Sequence, residues 1–137
     1  MANIKNIGIV GDGGWGTTLA ILLSKKGFNV ALWGAFPDYI EEVRETRENV
    51  RFLPGVKIPG SVKLTSEMDE TVRHKELIVL AAPSQFMRGV LMMLKMEDLS
   101  GKAFISVTKG IENTTLKRMS EVTAEVLGEY PLAVLSG

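Results

Sequence analysis

Short apolar runs rich in valine and isoleucine alternate with amphipathic segments along most of the chain. The spacing predicts six strands, at residues 4–10, 29–33, 62–64, 76–82, 103–107 and 131–135. It also predicts helices at residues 14–26, 37–48, 85–95 and 114–127, and a brief helix that opens with a capping-box pattern at residues 66–69. The fourth strand is apolar from Leu77 to Ala82, which is typical of a strand buried on both faces of a parallel sheet.

Glycine and proline mark the ends of several of these elements. Gly27 follows two lysines and ends the first helix, and Gly128 ends the last one. Residues 49–61 contain two Pro-Gly pairs and are expected to be irregular. The inward faces of the last two helices are expected to comprise Phe86, Val90, Leu91 and Leu94 in one, and Leu116, Met119, Val122 and Val126 in the other.

The regular alternation of strand and helix predicts an α/β fold. Right-handed crossovers between successive strands give a doubly wound parallel sheet, with the expected strand order 3-2-1-4-5-6. Because no repeat, linker or low-complexity segment interrupts the pattern, residues 1–137 are expected to form one domain. A chain that stops directly after a buried strand further suggests the first part of a longer enzyme.

Composition narrows the possible partners. The 137 residues carry a formal net charge of zero, so no overall field favours nucleic acid or an anionic membrane. No apolar run approaches the roughly 18–20 residues that a membrane helix needs. The chain has no cysteine, and its single histidine, His74, is expected to be solvated at a helix end. No metal site is therefore expected, and a cytoplasmic location is favoured.

Residues 11–16 read Gly-Asp-Gly-Gly-Trp-Gly, between the first predicted strand and the first helix. This is the G-x-G-x-x-G pattern in the context that a dinucleotide-binding Rossmann fold requires. Gly11 allows the tight turn, Gly13 lets the backbone approach a pyrophosphate, and Gly16 lets the helix pack closely. The alternatives are a glycine-rich turn without a ligand, or a Walker loop. The latter is disfavoured because no Lys-Ser/Thr follows the last glycine.

The sequence leaves the choice between NAD and NADP open. Sites for NAD usually have an acid at the end of the second strand, but residues 32–37 contain neither an acid nor an arginine. Asp38 is the nearest acid and is more simply explained as a helix-start residue. Arg44, Arg47 and Arg51 follow within the next helix and loop. Trp15, inside the glycine loop, could either pack on a cofactor or cover the sheet edge.

Two further positions follow predicted strands at their carboxyl ends, where ligands bind in open α/β sheets. Lys109 follows the fifth strand, where an ammonium could bind a substrate oxygen or phosphate. From spacing alone, a solvated lysine before a turn glycine is the simpler explanation of this position. Pro83 and Ser84 follow the fourth strand, where they could border the cofactor or simply end the strand.

Several segments together resemble the bacterial NAD(P)-dependent glycerol-3-phosphate dehydrogenases. The glycine loop matches, and Arg-Phe-Leu-Pro-Gly at residues 51–55 and Thr-Lys-Gly-Ile-Glu at residues 108–112 are more specific still. Other matching segments, in family order, are residues 32–34, 46–49, 82–85 and 133–137. The resemblance implies an enzyme that interconverts dihydroxyacetone phosphate and glycerol 3-phosphate for phospholipid synthesis.

The resemblance also implies roles for particular residues. The nucleotide would contact Gly14 and Trp15 of the glycine loop, and also Phe52 and Lys109. Lys109 and Gly137 would help to hold the substrate. The family's acid/base lysine lies in a later helical domain, so this chain alone is expected to be inactive. The full-length enzyme is expected to be a homodimer.

The chain departs from the family pattern at three positions. Gly14 stands where the family usually has serine, and Ala35 stands where it often has arginine. Losing that arginine weakens the case for NADP. Asp12 replaces a usually small residue, and its carboxylate must point away from the pyrophosphate or weaken binding.

Two other functions fit the first domain of such a fold. One is a different two-domain reductase, such as a 2-hydroxyacid or ketopantoate reductase, although the segments at residues 51–55 and 108–110 argue against it. The other is a nucleotide-sensing module without catalysis.

Overall fold

A computed structural model describes residues 3–135. The strands are β1 (Asn6–Val10), β2 (Asn29–Trp33), β3 (Glu48–Asn49), β4 (Leu53–Lys57), β5 (Lys63–Thr65), β6 (Leu77–Leu80), β7 (Ala103–Ser106) and β8 (Leu132–Val134). The helices are α1 (Gly14–Lys25), α2 (Pro37–Thr46), α3 (Met68–Val72), α4 (Met87–Leu94) and α5 (Met119–Leu127). Within the described residues, no helix is long and apolar enough to cross a bilayer.

Six strands form one parallel sheet in the order β5-β2-β1-β6-β7-β8. Without the short strands β3 and β4, this is the order 3-2-1-4-5-6, so the predicted doubly wound topology is confirmed. The direction of winding reverses between β1 and β6, where Ile9 pairs with Val79. In open α/β sheets, ligands bind beyond the carboxyl ends of the strands at such a reversal.

Side chains alternate between the two faces of the sheet and form two cores. On one face, Ile7 and Ile9 of β1 pack with α1 and α2. On the other face, Ile78 and Leu80 of β6 pack with α3, α4 and α5. Because helices cover both faces, the central strands contain almost no polar side chains.

Helices cover only part of the first face of the sheet. Beside α1, an apolar groove of about 360 Å³ opens over β6 and β7. Its lining consists of Ile4, Ile7, Leu19, Leu23, Phe28, Leu77, Val79, Ile105, Val107 and Leu135.

The expectation that residues 49–61 are irregular was wrong. This segment contains most of a two-stranded antiparallel ladder, in which Glu48 pairs with Lys57 and Asn49 with Leu53. Pro54 is tolerated because β4 has a single partner and needs no amide donor at every position. The Glu48 carboxylate accepts a hydrogen bond from the Gly55 amide at 3.1 Å, which closes the hairpin.

The starts of two helices also differ from expectation. Helix α4 begins at Met87, and Phe86 before it is 67% exposed instead of facing the core. Helix α5 begins at Met119, because residues 111–118 form a tight turn closed by a bridge between Ile111 and Arg118. Leu116 is therefore exposed, with a positive φ of 62°.

The capping box expected at residues 66–69 does not form. Helix α3 follows Glu67, which makes no side-chain cap, and the Glu67 amide instead donates to the Thr65 hydroxyl at 3.0 Å. His74 lies two residues beyond α3 and is exposed, as expected. The predicted ends at Gly27 and Gly128 are confirmed by positive φ values of 100° and 88°.

Candidate dinucleotide site

The glycine loop begins with a backbone junction that tolerates no side chain. Gly11 has a φ of +128°, and its amide donates to the Trp33 carbonyl of β2 at 3.0 Å. A Cβ atom at this position would lie 2.6 Å from the backbone carbonyl group of Ala81, just beyond β6. The chain can therefore leave β1 between its two neighbouring strands only through glycine.

Gly16 is closely packed, whereas Gly13 borders open space. A Cβ on Gly16 would lie 2.0 Å from the Gly11 carbonyl oxygen, so α1 packs against the loop only because this residue is glycine. A Cβ on Gly13 would meet no atom of another described segment within 4 Å. The middle glycine thus borders open space, as the close approach of a phosphate group requires.

Helix α1 presents unsatisfied amides to that open space. Gly13 is its N-cap and supplies no side-chain cap, and the first turn contains no acidic residue. The first amides of a helix lack intrahelical acceptors and carry the positive end of its dipole. This loop fits an anionic diphosphate on its own geometry.

A cavity of about 490 Å³ adjoins the loop, on the side of the sheet where β1, β2 and β6 end. This volume is in the range of small-molecule and cofactor sites. Its lining consists of Gly11, Asp12, Gly13, Trp33, Ala35, Phe36, Tyr39, Arg51, Phe52, Ala82, Pro83, Phe86, Gly89, Val90 and Met93. Phe36, Phe52 and Phe86 are all more than half exposed, so aromatic rings form much of its rim.

The β3–β4 hairpin is fastened to the glycine loop by Asn49, a fully buried side chain. The Asn49 amide nitrogen donates to the Asp12 carbonyl at 2.7 Å and to the Thr17 hydroxyl at 2.9 Å. Its amide oxygen accepts from the Tyr39 hydroxyl at 2.5 Å. Sequence reasoning gave Asn49 no role, since these bonds join segments that are far apart along the chain.

The same hairpin positions Phe52 and Arg51. A Cβ on Gly14 would lie 2.9 Å from the Phe52 carbonyl oxygen, so the hairpin backbone lies directly against the start of α1. The Arg51 guanidinium carbon stacks 4.3 Å from the centre of the Tyr39 ring. This cation–π contact holds a positive charge at the wall of the cavity.

Asp12 points toward the end of β2. Its carboxylate lies so close to Gly34 that a Cβ there would be 2.4 Å from the Asp12 Oδ2 atom. Burial raises the pKa of this carboxyl group, and a bond from its own backbone amide and the charge of Arg51 partly offset the rise.

Two loops form the wall beyond the ends of β6 and β7. The Thr108 hydroxyl donates to the Ala82 carbonyl at 2.7 Å. A Cβ on Gly110 would lie 3.4 Å from the Ser84 hydroxyl oxygen. The Gln85 side chain donates to the Ile111 carbonyl at 3.0 Å. Residues 83–85 and 108–112 therefore lie against each other beyond the ends of these two strands.

An ion pair fixes the second of these loops to α4. Arg88 binds the Glu112 carboxylate through two nitrogens, at 2.8 and 3.0 Å, and Thr115 donates to the same carboxylate at 2.5 Å. The bonds from Arg88 and Thr115 lower the pKa of Glu112 to about 2. Glu125 of α5 also bonds to Arg88, which joins both helices to the loop that carries Lys109.

The structure brings together some of the predicted site residues but not all of them. Gly11, Gly13, Phe52 and Pro83 line the cavity. Gly14, Trp15 and Gly16 lie in the first turn of α1 outside its lining, and Trp15 is 54% exposed. Lys109 is exposed on the neighbouring loop and also lies outside the lining. Gly137 lies outside the described residues.

Across residues 3–135, no three His, Asp or Glu side chains gather closely enough to hold a metal ion. The doubly wound sheet, the open glycine loop and the adjoining cavity define a dinucleotide-binding Rossmann domain. The family model described as "NAD-dependent glycerol-3-phosphate dehydrogenase N-terminus" matches residues 6–137. The chain belongs to this NAD(P)-dependent family and forms its NAD-binding N-terminal domain.

Individual relatives agree with this assignment. The chain is 48% identical over 122 residues to glycerol-3-phosphate dehydrogenase [NAD(P)+] of Pelodictyon phaeoclathratiforme, covering 89% of the chain and 37% of the relative. The enzyme of the same name from Prosthecochloris aestuarii is 43% identical, with 95% and 39% covered. The crystal structure of glycerol-3-phosphate dehydrogenase from Coxiella burnetii is 30% identical, with a TM-score of 0.90 over 98% of this chain and 41% of that one.

The glycine contacts predict opposite effects of the same substitution. Gly16→Ala must separate α1 from the Gly11 carbonyl, and overpacking of this kind costs about 1–3 kcal/mol or more. Gly13→Ala meets open space and is expected to cost less than about 1 kcal/mol. Urea unfolding of both variants measures the difference. Equal stabilities would contradict the close packing described for Gly16.

The Arg88–Glu112 pair predicts a pH-dependent contribution to stability. Because the folded-state pKa of Glu112 is about 2 against an ordinary 4.5, its stabilising effect is present above pH 4.5 and is lost as the pH falls towards 2. The melting temperature of Glu112→Gln should lie below that of the unsubstituted chain at pH 6, and the gap should narrow on acidification. Glu129→Gln, at an exposed carboxylate, is the control. A gap independent of pH would contradict the account.

Proposed function

We propose that this chain is the cofactor domain of an enzyme that reduces dihydroxyacetone phosphate to sn-glycerol 3-phosphate with NAD(P)H. The observation that carries the proposal is the open first turn of α1 at Gly13, beside a cavity of cofactor size. The names of the relatives supply the reaction. Its product is a precursor of glycerophospholipids.

The diphosphate of the nucleotide would be held by the glycine loop, from Gly11 to Gly16, including the amides of Gly14 and Trp15. Phe52 and Pro83 would contact the rest of the nucleotide, because both line the cavity next to the loop. When bound, the nicotinamide group supplies the hydride. The chain itself contributes a rigid surface that orients the nucleotide and excludes water from one side of it.

Lys109 would hold the phosphorylated substrate, together with Gly137, and would also contact the nucleotide. The loop that carries Lys109 follows β7 and is braced by Thr108 and by the Arg88–Glu112 pair. An ammonium group held at this position stabilises negative charge that develops on a substrate oxygen.

A second, helical domain would complete the enzyme. The chain spans 37–39% of the length of the two curated relatives described above. The apolar groove over β6 and β7 offers a surface that such a domain would cover. We place the acid/base lysine in that domain, so the chain alone should not turn over substrate. A homodimeric, cytoplasmic enzyme completes the proposal.

Membership of the family supports glycerol-3-phosphate dehydrogenase over a ketopantoate or 2-hydroxyacid reductase. A purely nucleotide-sensing role gains no support from a specific feature of the described residues.

Gly13→Val tests the cofactor site directly. A valine side chain would fill the open space at the first turn of α1 and weaken NADH binding by about tenfold or more. Isothermal titration calorimetry with the 137-residue chain measures the dissociation constant. Gly60→Val is the matched control, since a Cβ there also meets open space but lies away from the loop. Undiminished binding to a folded Gly13→Val chain would refute the site.

Lys109→Ala tests the substrate role in the full-length protein. Loss of the ammonium group should lower kcat/KM for dihydroxyacetone phosphate by about a hundredfold. Lys95→Ala, at the exposed end of α4, is the control and should retain the rate. Steady-state assays that give near-normal rates for Lys109→Ala would remove Lys109 from the mechanism.

A further inference from the structure

The end of β2 has no acidic residue, yet a carboxylate occupies that place. In sheets of this strand order, an acid at this position usually binds the hydroxyls of the adenosine ribose. Here the strand ends in Trp33-Gly34-Ala35. The Asp12 carboxylate, from the neighbouring glycine loop, lies against Gly34 instead.

The backbone of Asp12 is held from two sides. Its carbonyl oxygen accepts hydrogen bonds from the Asn49 amide at 2.7 Å and from the Thr17 hydroxyl at 3.2 Å. Asn49 is fully buried and is itself bonded to Tyr39, so this anchor is rigid. The backbone from which the Asp12 carboxylate extends is therefore fixed beside the end of β2.

The absence of a side chain at residue 34 makes room for the carboxylate. A Cβ there would lie 2.4 Å from Asp12 Oδ2 and 2.6 Å from the Cδ1 atom of Ile40. Glycine at the strand end and aspartate in the loop thus fit each other. Because Asp12 lies against Gly34, the loop supplies a negative charge at the end of β2, where the strand itself has no acid.

Among the described residues that line the cavity, two are charged, Asp12 and Arg51. The charge of Arg51 acts on Asp12, and its guanidinium is stacked on Tyr39. The carboxylate can accept hydrogen bonds from ribose hydroxyls but repels a phosphate group. Arg51 alone would attract a phosphate, and its attraction is offset while Asp12 is ionised.

We propose that Asp12 selects the nucleotide by binding the adenosine ribose hydroxyls, so that the chain binds NADH in preference to NADPH. This inference rests on the proposed cofactor site. It adds the residue that distinguishes the two nucleotides.

The test compares the dissociation constants of NADH and NADPH by calorimetry on the 137-residue chain. The unsubstituted chain should bind NADH at least about tenfold more tightly. Asp12→Asn keeps the shape but removes the charge, leaving Arg51 uncompensated, and should bring the ratio to unity or reverse it. Asp12→Ala, which restores a small residue, should also abolish the preference.

Asp38→Asn is the matched control, because Asp38 is an exposed acid just beyond the same strand end. It should keep the preference of the unsubstituted chain. An unchanged ratio in both Asp12 variants, with nucleotide still bound, would overturn the role of Asp12 and leave the cofactor site standing. Equal or tighter binding of NADPH to the unsubstituted chain would do the same. Binding of neither nucleotide would overturn this inference together with the proposed function.

Discussion

The contact between Gly16 and the Gly11 carbonyl oxygen is the constraint on which the site depends. It leaves no space for a Cβ and brings the first turn of α1 against the end of β1. The amides of that turn consequently face the reversal of the sheet, where the cavity opens. A helix that began further from the strand would hold its positive end further from a ligand bound at this reversal.

Around this contact, each wall of the cavity is held by bonds between distant segments. Asn49 joins the hairpin to the glycine loop, and that hairpin supplies Phe52 and Arg51. On the opposite side, the Arg88–Glu112 pair braces the loop of Lys109 against α4. In the proposed enzyme, the glycine loop and the hairpin would hold the nucleotide, and the loop of Lys109 would hold the substrate as well as contact the nucleotide. Nucleotide binding here matches a family whose N-terminal domain binds the cofactor.

The sequence predicted the elements whose causes are local. The strands, the end of α1 at Gly27 and the topology follow from periodicity, turn residues and crossover handedness. The hairpin escaped prediction because Pro54 and Gly55 suggest a turn, although an edge strand accepts both. The start of α5 depends on the turn at residues 111–118, which the helical spacing of apolar residues conceals. The roles of Asn49 and the direction of Asp12 arise from tertiary contacts that no local pattern contains.

The proposed site requires that the amides at the start of α1 receive the diphosphate of a nicotinamide nucleotide. A ¹H–¹⁵N NMR titration of the 137-residue chain with NADH tests it residue by residue. We expect saturable chemical-shift changes that are largest at the amides of Gly13, Gly14 and Trp15. Shifts centred on the apolar groove over β6 and β7, or an unaltered spectrum at millimolar NADH, would contradict it.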